Sequence, residues 1–293
     1  MNKKSKFFKL GAVLTLVFFL TLPLNVWADA AVGDMTVTLG ENLTEEQKNM
    51  LLSEMGAPND VDILTVTNKE EHDYLGDYIS SRLIGTKAIS SSAITLEKAG
   101  TGLKVESKNI NWVTDEMYIN ALATAGVKDA TVYVTAPIPV SGTAALTGVI
   151  KAYEVSSDKK IPEEVKQAAN EEMVKTAELG DKIGTEQAAS LMTKIKEEMA
   201  SNPPSSEGEV KDIVENSAKD LNIQLTDEQI QSLVDLFNKL KELNIDWNAV
   251  GDQLTAAKEK LTTFLESEEG QSFLDKLKEF LVSAVDAIKS LFS

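Results

Sequence analysis

The spacing of apolar residues changes near position 161, and this change constrains the fold more than any other feature. From Ile161 onward, apolar residues recur at steps of three and four, the period of an amphipathic α-helix that faces a core. Before that point, short β-forming runs alternate with helix-like segments. The sequence therefore predicts an α+β fold, with an N-terminal mixed-sheet α/β domain over residues 34–158 and an all-α helical bundle over residues 161–293.

The start of the N-terminal domain has the pattern of a β-α-β unit. Residues 35–39 and 62–67 are rich in β-forming side chains and are predicted to be strands. Between them, Thr44 and Gln47 have the spacing of a capping box, and Gly56 is typical of a helix C-terminus. We therefore expect a helix from Thr44 to Gly56 that connects the two strands.

A related arrangement follows later in the same domain. A second predicted helix runs from Thr114 to Gly126, and residues 130–135 form a predicted strand. Four residues of the two helices match at a constant offset of 70 positions, namely Thr44, Glu46, Leu52 and Gly56 with Thr114, Glu116, Leu122 and Gly126. The matches either record an internal duplication of this domain or reflect capping and packing needs that two such helices share.

Three further strands are predicted around these units. Residues 87–96 and 103–110 have β-forming composition, and the glycine-rich turn at residues 100–102 predicts that they form a hairpin. Residues 144–153 are predicted to be another strand, and two prolines shortly before them mark a sheet edge or a crossover.

The second part of the chain is predicted to be helical throughout. Pro162 precedes a helix over residues 163–179, and the run 201–206 interrupts the helical pattern, which predicts a mobile linker within residues 201–209. The next helix places Ala188, Met192, Ile195 and Met199 on one face. Three later stripes are Ile230, Leu233, Phe237 and Leu240; Val250, Leu254, Ala257, Leu261 and Phe264; and Leu274, Leu277, Leu281, Ala284, Ile288 and Leu291. Thr226, three residues before Gln229, has the spacing of a capping box at the start of the first of these helices. We interpret the three stripes as the core of an up-down bundle. For the last stripe we favour the core over a membrane-docking face, because the lysines between its apolar residues are balanced by acidic residues.

The N-terminus has the pattern of a signal peptide over residues 1–28. Four lysines precede the apolar run at residues 10–24, and small residues follow, which predicts cleavage after Ala28 or Ala30. No later apolar run approaches the roughly 20 residues of a transmembrane helix, so no integral membrane segment is expected after cleavage. The chain has no cysteine, which excludes disulfides, thiolate metal sites and the lipid-bearing cysteine of a lipoprotein.

The charge of the chain restricts its partners. Its formal net charge is −17, and removal of the four signal-peptide lysines leaves 25 basic against 46 acidic residues, or −21. Such a chain repels polyanions, and Arg82 is its only arginine, so paired arginine contacts to phosphate are excluded. We expect no nucleic-acid partner.

The only histidine, His72, lies among acidic residues at positions 70–73. These neighbours would suit an acid–base group or a metal ligand. Asn68 and Glu71, however, have the spacing of a helix start, where acidic residues complement the exposed N–H groups. We favour this structural interpretation of His72.

Two other patterns resemble functional motifs. Asp246, Asn248 and Gly251 fit the first, third and sixth places of an EF-hand loop, but Val250 and Ala257 occupy places that require oxygen ligands. Two Ser-x-x-Lys pairs occur at Ser156 with Lys159 and Ser157 with Lys160, without the partner motifs of penicillin-recognising enzymes, and we interpret them as a polar turn. No catalytic, cofactor-binding or metal site is predicted.

Several long segments resemble a known family. They include residues 94–154, with Asn111-Trp112-Val113-Thr114, the run 136–148 and Lys151-Ala152-Tyr153-Glu154, and the corner at residues 243–247. In these segments the chain resembles the YpuA-like family of predicted secreted proteins from Gram-positive bacteria. The resemblance implies an extracytoplasmic protein of uncharacterised function and supplies no catalytic residues.

Taken together, these patterns predict a secreted, soluble, noncatalytic protein of the cell envelope that binds an unknown envelope protein or polymer. The alternative is a cell-surface hydrolase whose paired carboxylates are assembled by the fold and leave no fixed spacing in the sequence. A polar cleft with two facing carboxylates would favour the hydrolase. An exposed apolar groove would favour binding.

Overall fold

The computed structural model describes residues 32–243, 245–254 and 257–259. The strands are β1 (Met35–Gly40), β2 (Asp62–Val66), β3 (Ser91–Leu96), β4 (Leu103–Ile110) and β5 (Ala130–Val140). The helices are α1 (Glu45–Glu54), α2 (Asn68–Leu75), α3 (Ser81–Ile84), α4 (Asp115–Thr124), α5 (Thr143–Ser157), α6 (Glu163–Ile183), α7 (Thr185–Ser201), α8 (Glu207–Asp220), α9 (Asp227–Glu242) and α10 (Trp247–Gln253). The predicted signal peptide and the stripe at residues 274–291 lie outside the described residues.

The strands form one mixed sheet in the order β2-β1-β3-β5-β4. Strand β1 is parallel to β2, and β4 is parallel to β5. The central strand β3 is antiparallel to both of its neighbours. The prediction of a mixed sheet followed along the chain by helices is confirmed.

Both predicted β-α-β units are present. Helices α1 and α4 each contain ten residues and begin after the N-caps Thr44 and Thr114, whose side chains accept hydrogen bonds from the backbone of the first turn. Gly56 and Gly126 follow the helices with φ of 65° and 79°, the left-handed region that glycine adopts without strain. Helix α1 covers the sheet face that carries Val37, whereas α4 shares the core of the opposite face. The duplication itself remains a prediction.

The predicted hairpin between β3 and β4 is wrong, because β5 lies between these strands. The chain leaves β4 through α4 and returns as β5, so Ala130 is opposite both Leu96 of β3 and Leu103 of β4. The glycine-rich turn does not close a hairpin. Instead, the N–H groups of Gly100 and Gly102 donate to Asp129 Oδ1, at 3.0 and 2.9 Å, just before β5 begins.

The prediction of a strand at residues 144–153 is also wrong, because this segment lies within α5. Its side chains are apolar on nearly all sides, and such a run suits either a buried strand or a buried helix. The helix packs closely on the sheet at Gly148, where an added Cβ would lie 2.5 Å from Thr38 Oγ1. Burial on the sheet therefore explains the apolar pattern.

Helices α6 to α10 follow the sheet domain. The predicted face of α7 is confirmed, since Ala188, Met192, Ile195 and Met199 are buried, and the predicted capping box of α9 at Thr226 is present. Helix α8 starts within the predicted linker, and the loop before it contains only residues 202–206. The core of the sheet continues into these helices through Met173, Ala189 and Val250. The division of the chain between residues 158 and 161 remains a prediction.

A buried polar network joins α4, α6 and α7. Lys196 Nζ lies 2.5 Å from Glu172 Oε1, and both side chains are 0% exposed. The same ammonium group donates to Asn120 O and to Thr124 Oγ1, each at 2.6 Å. Thr124 in turn donates to Glu172 Oε2 at 2.5 Å. Burial lowers the pKa of Lys196, while the adjacent carboxylate opposes this effect.

Within the described ranges, no helix combines the length and the apolar character that crossing a membrane requires.

Candidate functional site

A polar cleft lies where α2, α5 and α6 meet. Its volume is about 150 Å³. Helix α2 contributes two lining residues, α5 four and α6 two: Glu70 and Tyr74; Thr147, Ile150, Lys151 and Glu154; Lys166 and Asn170. We call this site the α2–α5–α6 cleft.

One wall of the cleft is an ion pair between α5 and α2. Lys151 Nζ lies 2.7 Å from Glu70 Oε1 and donates to Thr65 O at 2.7 Å. The other carboxylate oxygen of Glu70 accepts from the backbone and the hydroxyl of Thr67, which completes the capping box of α2. Partial burial acts to raise the pKa of Glu70, but Lys151 and Thr67 outweigh it and hold the pKa below its ordinary value of 4.5.

A second ion pair in the lining connects α5 and α6. Lys166 Nζ lies 3.1 Å from Glu154 Oε2, and their side chains are 15% and 9% exposed. Glu154 Oε1 accepts from the backbone N–H of Ile161 at 2.8 Å, which holds the connection into α6. Tyr74 donates to Glu163 at 3.4 Å, and burial raises the pKa of this phenol above its ordinary value.

Two side-chain oxygen atoms in the lining lack a partner among the described residues. Asn170 is fully buried, and its Nδ2 donates to Lys166 O at 2.8 Å, but its Oδ1 makes no hydrogen bond. Thr147 is 5% exposed, and its Oγ1 also makes none. An unsatisfied buried polar atom costs about 1–3 kcal/mol, so it calls for a specific explanation.

This geometry suits binding better than acid–base chemistry. Each carboxylate oxygen of Glu70 and Glu154 already accepts at least one hydrogen bond or faces a lysine. The lowered pKa of Glu70 favours its ionised form, which is not a proton donor. Lys151 and Glu70 are 37% and 32% exposed, so a ligand in the cleft can reach both groups.

A helix start lies beside His72, one residue earlier than expected. The N-cap of α2 is Thr67 rather than Asn68, and His72 Nε2 lies 3.1 Å from Gly85 O. Glu71 is 2% exposed, and burial raises its pKa to about 7, although the Asn68 amide opposes the rise. Helix α2 therefore directs Glu70 to the cleft and buries Glu71.

The other motif-like residues have structural contacts. Asp246 is the N-cap of α10 and accepts from Ala249 N at 3.1 Å, so a helix begins where a calcium-binding loop would have to lie. Ser156 and Ser157 donate to backbone carbonyls of α5 at 2.8 and 2.6 Å. In the described part of the chain, no group of three or more histidine or acidic side chains could hold a metal ion.

No pattern in the sequence marks a residue of the cleft as part of a site. The reason is the incorrect strand predicted at residues 144–153. In that strand Thr147 and Lys151 would lie on the same face, and Glu154 would lie beyond the end of the strand. With helical spacing, these three residues share one face at steps of four and three. Lys166 and Asn170 repeat that spacing on α6.

Comparisons with known proteins place the chain among uncharacterised proteins. The family model described as "Protein of unknown function (DUF1002)" matches residues 39–257, a range that contains the whole cleft. The chain is similar to "Uncharacterized protein YpuA" of Bacillus subtilis (strain 168), with 57% identity over 284 residues that cover 97% of this chain and 98% of the relative. No solved structure matches the chain.

Proposed function

Since the chain belongs to the DUF1002 family of proteins of unknown function, we propose from its geometry that it is an exported, noncatalytic binding protein of the cell envelope. Its α2–α5–α6 cleft holds a polar group of an envelope polymer or protein. The observation that carries the proposal is a space of about 150 Å³ lined by the ion pairs Lys151–Glu70 and Lys166–Glu154. A ligand in this space can form hydrogen bonds with the partly exposed Lys151 and Glu70.

The ion pairs of the walls support a binding role for a second reason. They connect α2 to α5 and α5 to α6, so the lining groups are held in place before a ligand arrives. Groups that are already positioned lose little conformational freedom on binding. A catalytic carboxyl pair would need one member free to give or accept a proton, and the contacts of Glu70 and Glu154 do not favour that.

The cleft can be tested with three chemically distinct probes. NMR of the purified protein should show that methyl glycosides, glycylglycine or spermidine shift the Ile150 methyl and the Asn170 side-chain amide with saturation. Ile230 on α9, outside the cleft, serves as the control signal. If none of these probes shifts the cleft signals at a lower probe concentration than the control signal, the proposal of a binding cleft is wrong.

Export is a separate part of the proposal. It rests on the basic start, the short apolar run and the small residues at positions 28 and 30. Mass spectrometry of the extracytoplasmic protein should find a mature N-terminus after Ala28 or Ala30. Detection of residues 3–24 in that protein would contradict cleavage.

We also propose that residues 161–293 act as an all-α bundle that offers a second interaction surface. The regular apolar stripes of the sequence support this. Limited proteolysis should cut first within residues 202–206, because this loop separates two helices and contains exposed residues. First cuts within residues 226–243 would contradict the prediction of a linker within residues 201–209.

A further inference from the structure

We propose that the ligand of the α2–α5–α6 cleft is a neutral six-membered sugar ring, either free or at the end of a glycan. The inference rests on the proposed binding function and adds the chemical class of the ligand. It follows from the hydrogen-bonding character, the charge balance and the size of the cleft.

The hydrogen-bonding groups of the cleft alternate between donors and acceptors. Lys151 and Lys166 provide N–H donors beside carboxylate acceptors at 2.7 and 3.1 Å. The half-buried Tyr74 adds a phenol hydroxyl, which can both donate and accept. Neighbouring sugar hydroxyls match such a lining because each hydroxyl is donor and acceptor at once.

The charge balance favours a neutral ligand. The formal charges of Lys151, Lys166, Glu70 and Glu154 cancel, so a charged ligand would have to compete with an existing ion pair. The chain as a whole carries −17, which repels anionic polymers. A peptide-like zwitterion would need a cation and an anion released from the walls, whereas a polyol needs neither.

The size and the apolar groups also suit a ring. A cavity of about 150 Å³ in another protein holds benzene, and the cleft has about the same volume. Ile150 and the half-buried ring of Tyr74 supply apolar surface among the polar groups. A sugar ring has C–H faces for such surface and hydroxyls around its edge.

The NMR titration can distinguish the ligand classes. Methyl glycosides of glucose, galactose and N-acetylglucosamine serve as neutral rings, methyl glucuronide as the matched charged ring, and glycylglycine as the zwitterion. At least one neutral glycoside should shift the Ile150 and Asn170 signals with saturation, and glucuronide should bind at least about 5-fold more weakly. A neutral disaccharide of the same sugar should bind more tightly if the ring belongs to a glycan, and equally if the free sugar is the ligand. In both cases the sugar class is supported.

A matched pair of variants tests the contact itself. Tyr74→Phe removes the phenol hydroxyl of the lining and should weaken binding of the neutral glycoside about 5-fold, the equivalent of one neutral hydrogen bond. Tyr133→Phe removes a phenol hydroxyl outside the cleft, which donates to Glu54, and should leave binding unchanged. Thermal unfolding verifies that both variants fold. If glycylglycine shifts the cleft signals and no glycoside does, the sugar class is wrong while the binding cleft stands. If Tyr74→Phe folds and binds the glycoside unchanged, the proposed contact is wrong.

Discussion

Two lysine–glutamate pairs have opposite relations to solvent. The first belongs to the buried network, in which Glu172 of α6 and Lys196 of α7 are 0% exposed. The second forms a wall of the cleft, where Lys151 of α5 and Glu70 of α2 are 37% and 32% exposed. The same residue types therefore occur in a closed and in an open setting.

The difference indicates separate roles. In the buried network the charges face each other, which fixes how α4, α6 and α7 pack but leaves no room for a ligand. In the cleft, partly exposed ion pairs form the walls of a space of about 150 Å³. The first arrangement specifies packing, and the second is available for recognition.

Breaking the buried pair should have the largest effect. Lys196→Met leaves the Glu172 carboxylate buried without its cation and should lower the free energy of unfolding by about 3–5 kcal/mol. Urea unfolding at pH 7 measures this. The double variant with Glu172→Leu removes both charges and should recover most of the loss. A single variant that loses less than about 1 kcal/mol would show that the network is not the tight structural element described above.

Glu71 provides a buried carboxyl that has an amide rather than a lysine as its close partner. Its pKa of about 7 means that, between pH 4.5 and about 7, the folded state keeps a proton that the unfolded state releases. Stability therefore falls as the pH rises through this window, by about 3 kcal/mol in all. Glu71→Gln should gain about that amount at pH 8 and almost nothing at pH 4.

Urea unfolding of Glu71→Gln at both pH values tests this prediction. Asp73→Asn on the same helix is the matched control, because Asp73 is 57% exposed and its pair with Lys69 lies at the surface. We expect the control to change stability by less than about 1 kcal/mol at either pH. An equal gain from Glu71→Gln at pH 4 and pH 8 would mean that the carboxyl does not titrate near pH 7.

The pair in the open wall should contribute least. Lys151→Met should lower the free energy of unfolding by less than about 1 kcal/mol, because solvent screens a pair that is about one third exposed. Lys211→Met, whose pair with Glu215 is still more exposed, is the control and should change even less. A loss from Lys151→Met close to that of Lys196→Met would remove the contrast between the two settings.

The local signals in the sequence predicted several element ends correctly. Thr44 with Gln47 and Thr226 with Gln229 form the expected capping boxes, because these contacts involve only residues three positions apart. The positions of Gly56 and Gly126 likewise follow from a backbone that few other residues adopt. The apolar face of α7 was predictable because helical spacing repeats along the chain itself.

Contacts between distant segments of the chain decided the rest of the fold and the position of the cleft. The sequence by itself determined where most helices and strands lie, since capping, turns and periodicity act over a few residues. It did not determine that β5 lies between β3 and β4, or that residues 144–153 are helical, because strand pairing and burial involve segments far apart in the chain. The cleft depends on those same contacts: Glu70, Thr147 and Asn170 come from three helices, and only their packing brings them together.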